Sequence, residues 1–353
     1  MWQDGAGTNE NTDYPREAMM RFRATTIALF SALAFATATN VRAEVSEVTV
    51  AQQYGVSFLP LMVMERQGLF EKHATKAGLD GLKVVWAKVA GPSVMNDGLI
   101  SNAIHFAAQG APSLITLWDK THGQIKAVSA ITTYPLYLVT RDPDVKTIKD
   151  FSAKDKIAVP SVKISTQAIM LQMAAAKAFG EKDYTRLDPL TISLSHPDAT
   201  LAFIGNTAGV NAHFSTSPFY EQEIKVPGAH LVTTSYEILG GPATALLVTA
   251  SAKFREANPK AFKVFFDALS EAIDTVNKDK RAAAKLYLEV ARDTKNSVED
   301  ILATISDKDY AFTLQPQKVF ATAQFMAKIG AIKQAPASIG DLFFPEIGAL
   351  KGD

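Results

Sequence analysis

The chain has 353 residues, with 36 Lys plus Arg balanced by 36 Asp plus Glu, and 47% of it is hydrophobic. That length carries one large domain or two lobes with separate cores, and the neutral balance leaves no basic surplus for nucleic acid or an anionic membrane surface. There is no cysteine, which excludes disulfides, thiolate metal sites, cysteine nucleophiles, iron–sulfur clusters and an acylated lipoprotein anchor.

Near the N-terminus, Arg21 and Arg23 precede the apolar run Ala24 to Ala38, and Asn40-Val41-Arg42-Ala43 follows. A basic flank, a short apolar run and small residues at the cut make residues 19–43 a secretory signal peptide, expected to be cleaved after Ala43. The run is too short for a comfortable membrane span. Residues 1–18 are polar, lie upstream of Met19 and Met20, and are expected to be a non-native or disordered leader. The mature chain from residue 44 stays neutral and has no later run long and apolar enough to span a bilayer, so an exported soluble chain is expected.

The first mature strand is expected over Val48 to Gln53, ending in the loop Tyr54 to Pro60. A helix from near Pro60 stops at Gly68-Leu69-Phe70, where glycine suits a left-handed cap. Lys83 to Trp118 then reads as strand, loop and helix twice over. The two loops, Ala90-Gly91-Pro92-Ser93 and Gly110-Ala111-Pro112-Ser113, are near copies. Each follows an apolar run and opens a helix: Gly permits close backbone approach, Pro suits the first helical turn, and Ser is placed to cap free N–H groups. In a parallel sheet both loops leave the carboxyl ends of strands and line one edge, where helix N-termini form a candidate anion site.

Further strands are expected over Ile125 to Thr132, Pro135 to Arg141, Lys156 to Val162, Leu190 to Leu194, Val210 to Phe214, His230 to Ser235 and Thr244 to Thr249. Helices alternate with them: one over Gln167 to Phe179, one after Ser195-His196-Pro197-Asp198, and one after Ser215-Thr216-Ser217-Pro218. After Ser251 only helices are expected. They start at Asn258-Pro259, at Asp279, at the capping box Ser297-x-x-Asp300, and at Gln315-Pro316. Phe262, Phe265, Phe266 and Leu269 share one helical face and read as core.

Strand–helix alternation over two-thirds of the chain gives an α/β fold of two lobes with two mostly parallel sheets. The breaks at Pro135 and Gly241-Pro242 bracket a unit of their own. The lobes are therefore expected at 44–133 plus 245–353 and at 134–244, joined by two crossing strands near 134–140 and 243–250. A helical C-terminal segment packs back on the first lobe, and the strand ends of both sheets face one cleft.

Six histidines occur, and no pair has His-x-x-x-His or Glu-x-x-His spacing, so no metal site is expected. His213 alternates with Phe214, so one of the two should face the core. His196, at a strand end, is a candidate ligand contact, and Asp198 reads as a helix cap. Lys163 is the clearest basic residue in the cleft loops. Gly-x-Ser-x-Gly, phosphate-loop and Gly-x-Gly-x-x-Gly patterns are absent, so no enzyme and no cofactor is expected.

The ordered motifs resemble a known family. They are the Tyr54-to-Pro60 loop with Glu65-x-x-Gly68-Leu69-Phe70; Gly91-Pro92-Ser93; Ala103 to Gly110 with Pro112-Ser113; and Leu138-Val139-x-Arg141. Lys156 to Pro160, Asp198-Ala199, Phe214-x-x-x-Pro218-Phe219-Tyr220 and Leu342-Phe343-Phe344-Pro345-Glu346 continue the series. Across most of residues 45–350 the chain is similar to the periplasmic substrate-binding proteins of ABC importers for nitrate, sulfonates and taurine, which share their fold with thiamine-pyrimidine precursor proteins.

The resemblance implies a type II-like, two-lobed fold that closes on a ligand. By position, the charged head of the ligand would meet Ser57, Gly91, Ser93, Gln109, Gly110 and Ser113 from one lobe. Ser161, Lys163, Ser165, Thr166 and His196 would meet it from the other, with Tyr54, Phe58, Tyr134, Phe214 and Phe219 walling the tail. The implied partners are a small organic anion and an ABC permease in the inner membrane, with the protein a periplasmic monomer. Two other readings stay open: an exported ligand-sensing subunit, and a protein that binds or metabolises pyrimidines or aromatic compounds. The pyrimidine-synthase relatives use cysteine and histidine chemistry that a cysteine-free chain does not copy.

Overall fold

The computed structural model describes residues 44–349; the expected leader and signal peptide lie outside the described residues. The chain first runs through β1 (Glu47–Gln52), α1 (Leu59–Gln67), α2 (Leu69–Lys76), β2 (Lys83–Lys88), α3 (Pro92–Ser101), β3 (Phe106–Gln109), α4 (Ala111–Lys120) and β4 (Ile125–Thr133). It continues through β5 (Tyr137–Thr140), β6 (Ile157–Val159), α5 (Thr166–Phe179), β7 (Thr191–Ser193), α6 (His196–Gly205), β8 (Ala212–Ser215), α7 (Phe219–Glu223), β9 (His230–Thr234) and α8 (Ser235–Leu239). The last part holds β10 (Thr244–Ser251), α9 (Ala252–Ala257), α10 (Pro259–Lys278), α11 (Lys280–Ala291), α12 (Val298–Ser306), β11 (Ala311–Phe312) and α13 (Val319–Lys328).

These strands form two sheets, in the orders β11-β4-β10-β3-β1-β2 and β7-β6-β8-β5-β9. Each has a parallel centre: β1 pairs in parallel with β2 and β3, and β6 with β7 and β8. β10 runs antiparallel to β3 and β4, and β5 antiparallel to β8 and β9. The reason is topological. The chain leaves β4 and β9 at the carboxyl ends of the strands, crosses through Tyr134-Pro135-Leu136 and Gly240 to Ala243, and enters the next sheet at the end where its other strands leave. The sheets are mixed in pairing for that reason, while most of their strands still point one way.

Both sheets are covered on both faces, as α/β layers require. A principal core runs through the molecule, and two smaller clusters lie beyond it. One packs Met95, Leu99 and Leu117 against Ala51 and Ala107. The other packs Ala199, Ala202 and Phe203 against Val139 and Ala158. Helix α10 starts with Pro259 in its first turn and buries Phe262, Phe265, Leu269, Ile273 and Val276 at helical spacing. The Phe265 ring stacks on Phe106 of β3, with centroids 3.8 Å apart at 7°, and α10 also packs on α1 and α2. Phe266 is only partly buried.

Two local expectations change. Gly68 does end α1, in the left-handed region at φ 59, but the chain re-enters helix at once, and the same glycine precedes the first turn of α2. The C-terminal part is not purely helical, because Ala311-Phe312 add a two-residue edge strand to β4. The Ser297/Asp300 capping box is present, each residue bonding the other's backbone N–H.

Phe265→Ala should lower stability by about 3–5 kcal/mol, because it removes the stacked ring and leaves a cavity between α10 and β3. Urea unfolding followed by circular dichroism measures this, with the α10 surface variant Lys263→Ala as a near-neutral control.

Candidate ligand-binding cleft

Loops at the carboxyl ends of both sheets' strands meet at one small cavity of about 30 Å³. Pro92 opens α3, Gly110 precedes α4, Ser165 and Thr166 start α5, and His196 starts α6; all four helix starts reach the cavity wall. Free N–H groups and the positive ends of helix dipoles therefore converge from both sheets. Gln53, Ser57, Ser113, Gln167 and Thr216 add polar side chains to the same wall, and Tyr54, Phe58, Tyr134 and Leu136 add rings and a branched apolar side. Among the described residues lining it there is no Asp, Glu, Lys or Arg.

The two sheet units touch around this cavity, and glycine makes the contact possible. A Cβ on Gly91 would lie 2.5 Å from the Pro160 carbonyl oxygen and 2.7 Å from Ser161 Oγ; one on Gly110 would lie 1.7 Å from Thr166 Oγ1. Gly91 is extended at φ −169 and Gly110 sits at φ −82, so space rather than backbone conformation demands glycine at both. The two serines of the repeated turns do not cap their own helices. They reach across instead: Ser93 Oγ bonds Ser161 Oγ at 3.2 Å, and Ser113 Oγ donates to the Ile164 carbonyl at 3.3 Å. The Val56 N–H donates to the Ser217 carbonyl at 3.2 Å, and the Tyr134 hydroxyl and Thr216 Oγ1 are 2.8 Å apart. Ser57 Oγ is buried near the Tyr134 phenol without a well-formed hydrogen bond to a described residue, so it is available to a bound group.

Behind the cavity wall runs a buried polar chain. His196 Nδ1 lies 2.9 Å from His213 Nε2, and His213 Nδ1 lies 2.7 Å from Glu223 Oε1, which also accepts from Thr200 Oγ1 at 2.6 Å. On the cavity side His196 Nε2 is 3.3 Å from the Gln167 side-chain nitrogen, and Phe219 stacks on the imidazole at 5.8 Å. Burial, and then the neighbouring His213, hold His196 well below its ordinary pKa. Asp198 accepts from Ser195 Oγ at 2.5 Å, while Ser195 is the residue that caps α6. The Asp198 capping expectation is thus corrected by one turn of the same motif.

Outside the Tyr54 ring a second cavity of about 370 Å³ opens between the sheet units. Met62, Leu201, Phe219 and Tyr287 supply apolar wall, Lys88, Arg292 and Lys295 supply positive charge, and Asp293 a carboxylate.

Of the residues singled out from sequence, Tyr54, Ser57, Phe58, Gly110, Ser113, Tyr134, Ser165, Thr166 and His196 line the inner cavity. Gly91, Ser93 and Ser161 form the adjoining contact between the sheets, and Phe219 walls the outer cavity. Three lie elsewhere. Gln109 is buried within the first sheet, donating to Thr249 Oγ1 at 3.1 Å. Phe214 belongs to the principal core. Lys163 is exposed, in the left-handed region at φ 63, and its charge acts on Asp188 rather than on the cavity. His213 and Phe214 are both fully buried, because helices cover both faces of β8. Sequence reading missed Gln53, Gln167, Thr200, Thr216 and Glu223. Only Gln167, one step past Thr166 at a helix start, carried a positional signal.

Two mixed α/β sheet units facing one small cavity, with helix starts at its wall and two chain crossings between the sheets, make up the fold of periplasmic binding proteins. The chain belongs to the NMT1-like family, whose model matches residues 41–290. Solved structures share the fold. The alkanesulfonate-binding protein SsuA from Xanthomonas axonopodis pv. citri, bound to MOPS, is 17% identical with a TM-score of 0.66, covering 86% of this chain and 99% of its own. The periplasmic nitrate-binding protein NrtA from Synechocystis PCC 6803 is 16% identical with a TM-score of 0.66, covering 86% and 87%. The periplasmic aliphatic sulphonate binding protein SsuA from Escherichia coli is 16% identical with a TM-score of 0.61, covering 85% and 92%. No curated protein matches the chain in sequence. Among the described residues no helix is long and apolar enough to cross a membrane.

Two outcomes are expected. Gly91→Ala should push the sheet units apart, because the obstacle is a backbone carbonyl that does not swing aside; small-angle scattering should show a larger radius of gyration with unchanged circular dichroism. The second concerns pH. An unfolded histidine titrates near 6.5, while buried His196 stays neutral to lower pH. The unfolded chain therefore binds more protons below about 6.5. Stability is fully present above that value and falls as pH drops through it, by up to about 1.4 kcal/mol per pH unit for one such group. Urea midpoints from pH 7.5 to 5 measure the fall, and His196→Gln should flatten it.

Proposed function

We propose that this protein is a periplasmic solute-binding component of an ABC importer, taking a small organic oxoanion of the sulfonate, taurine or nitrate type. The observation that carries the reading is the inner cavity. Four helix starts, several hydroxyls and a histidine point into a space whose lining has neither a carboxylate to repel an anion nor a fixed cation to bind it too tightly for release. Three oxygens of a sulfonate or nitrate suit such a ring of neutral donors. At about 30 Å³ the inner cavity suits a compact head. An organic tail passes Tyr54 into the outer cavity, where Leu201, Phe219 and Tyr287 offer apolar surface.

In this reading residues 44–133 with 245–353 form one lobe and residues 134–244 the other, hinged at the two crossings. The contacts at Gly91–Pro160 and Gly110–Thr166 close it, and the closed form is what an inner-membrane permease recognises. The signal peptide cut after Ala43 delivers the mature chain to the periplasm. The protein works as a monomer and turns nothing over.

Thermal unfolding with methanesulfonate, taurine, nitrate, small carboxylates and pyrimidines tests this. A true ligand at a hundred times its dissociation constant adds about 2.7 kcal/mol of stability, and it should be recovered unchanged after release. Stabilisation by pyrimidines alone, or conversion of the bound compound, would replace transport of an oxoanion with the metabolic reading. No shift with any anion would remove the oxoanion reading.

A further inference from the structure

The Glu223–His213–His196 chain is not needed to hold an anion by helix starts and hydroxyls, yet it is fully buried and ends at the cavity wall. Its hydrogen-bond order can be followed atom by atom. An amide nitrogen only donates, so Gln167 gives a proton to His196 Nε2. His196 then carries its own proton on Nδ1 and donates it to His213 Nε2 at 2.9 Å. His213 carries its proton on Nδ1 and donates to Glu223 Oε1 at 2.7 Å. In this order each ring directs its proton away from the cavity, and the chain ends at the Glu223 carboxyl, whose second oxygen has no hydrogen-bond partner among the described residues. In this arrangement the cavity-side nitrogen of His196 is an acceptor held by Gln167, so the ring has no proton to give an anion.

We propose that the protein binds its anion together with one proton, with His213 and Glu223 as the positioning residues that let His196 change from acceptor to donor. The proton comes from solvent and joins His196 Nε2, from where it faces the ligand. The proton on His196 Nδ1 passes across the 2.9 Å gap to His213 Nε2. His213 is then the imidazolium, bonded through Nδ1 to Glu223, and His196 is again neutral but turned proton-outward. Gln167 releases the ring and has its amide free for the ligand. Charge balances: one anion and one proton enter, and the added positive charge rests on a histidine already paired with a carboxylate, where its burial costs least. The inference rests on the oxoanion reading and extends it to the charge state in which the ligand is carried.

The titratable and charged groups around this chain are few. Glu221 on α7 is buried, its carboxyl raised by that burial and then held by Ser217 Oγ at 2.6 Å. Asp198 on α6 is occupied with Ser195. Tyr134 and Tyr54 face from the inner cavity wall, and Lys88, Arg292, Asp293 and Lys295 from the outer one. None of them comes between His196 and His213 at 2.9 Å.

The experiment uses calorimetric titration of the wild-type protein with methanesulfonate and with nitrate. Both probes stay fully ionised between pH 5.5 and 8.5, so any linked proton belongs to the protein. Titrations in buffers of different ionisation enthalpy should show uptake approaching one proton per anion near pH 7.5. Affinity should rise as pH falls, by no more than tenfold per pH unit. Glu223→Gln keeps an acceptor for His213 and removes the countercharge, so it should bind about tenfold more weakly at pH 6.5 with a flattened pH slope and lost proton uptake. Binding of either probe with no proton uptake at any pH overturns the inference and leaves the oxoanion reading standing. A Glu223→Gln variant that keeps the wild-type slope and uptake overturns the assigned route. Failure of both probes to bind at every pH overturns the oxoanion reading and the inference with it.

Discussion

Everything at the cleft depends on how near two backbones come to each other. Gly91 rests against the Pro160 carbonyl and Gly110 against Thr166, closer than any side chain would allow. Because neither glycine puts a side chain of its own into the gap, the helix starts behind them reach a common space a few atoms wide. Donors that would be solvated separately become a single ring facing inward, in surroundings where a hydrogen bond is stronger than in water. The serines of the two turns belong to the same constraint. With their hydroxyls directed across the gap to Ser161 and Ile164, they make the contact polar as well as close, so that opening it exchanges weak protein bonds for water bonds at small cost.

The second sheet carries most of the chemistry with few charges. Glu223 is fully buried, a state that costs several kcal/mol unless the carboxylate is well bonded. Thr200 and His213 provide that bonding, and His196 and Gln167 extend it to the cavity. The stacked Phe219 ring covers the imidazole and keeps water from it. Polar order of this kind fixes one arrangement of side chains, because each donor has one acceptor within reach. The first sheet contributes mainly shape and helix starts, with Ser57 and Ser113 as its near hydroxyls.

Much of this was legible in the chain, and the remainder failed for physical reasons. The Gly-Pro-Ser turns were visible because helix starts follow local rules, and they do border the cavity. What faced them was not visible, since the partner of Gly91 lies nearly seventy residues on. The serines were read as caps because capping is a local interaction; a tertiary acceptor won. Lys163 reads as the basic residue in a polar loop, but it is exposed, at a left-handed position of the backbone. Alternation along β8 assigned one of His213 and Phe214 to the core, and a sheet covered on both faces buries both. Glu223 follows His213 by ten residues and a turn, with no periodicity to link them, so nothing in the spacing marks the pair.

The direction of β10 has a further consequence for how the molecule is made. This strand sits between β3 and β4 at the middle of the first sheet, yet it follows all five strands of the second. The second sheet is contiguous in the chain and can be assembled from neighbouring segments as it emerges. The first has its flanking strands long before its central one, and β3 and β4 have unpaired edges until residue 244 arrives. Open edges of that kind are prone to pair with other chains. The long-range pairing that closes them carries a high entropic cost, so the centre of the first sheet waits on a segment that lies more than a hundred residues beyond β4.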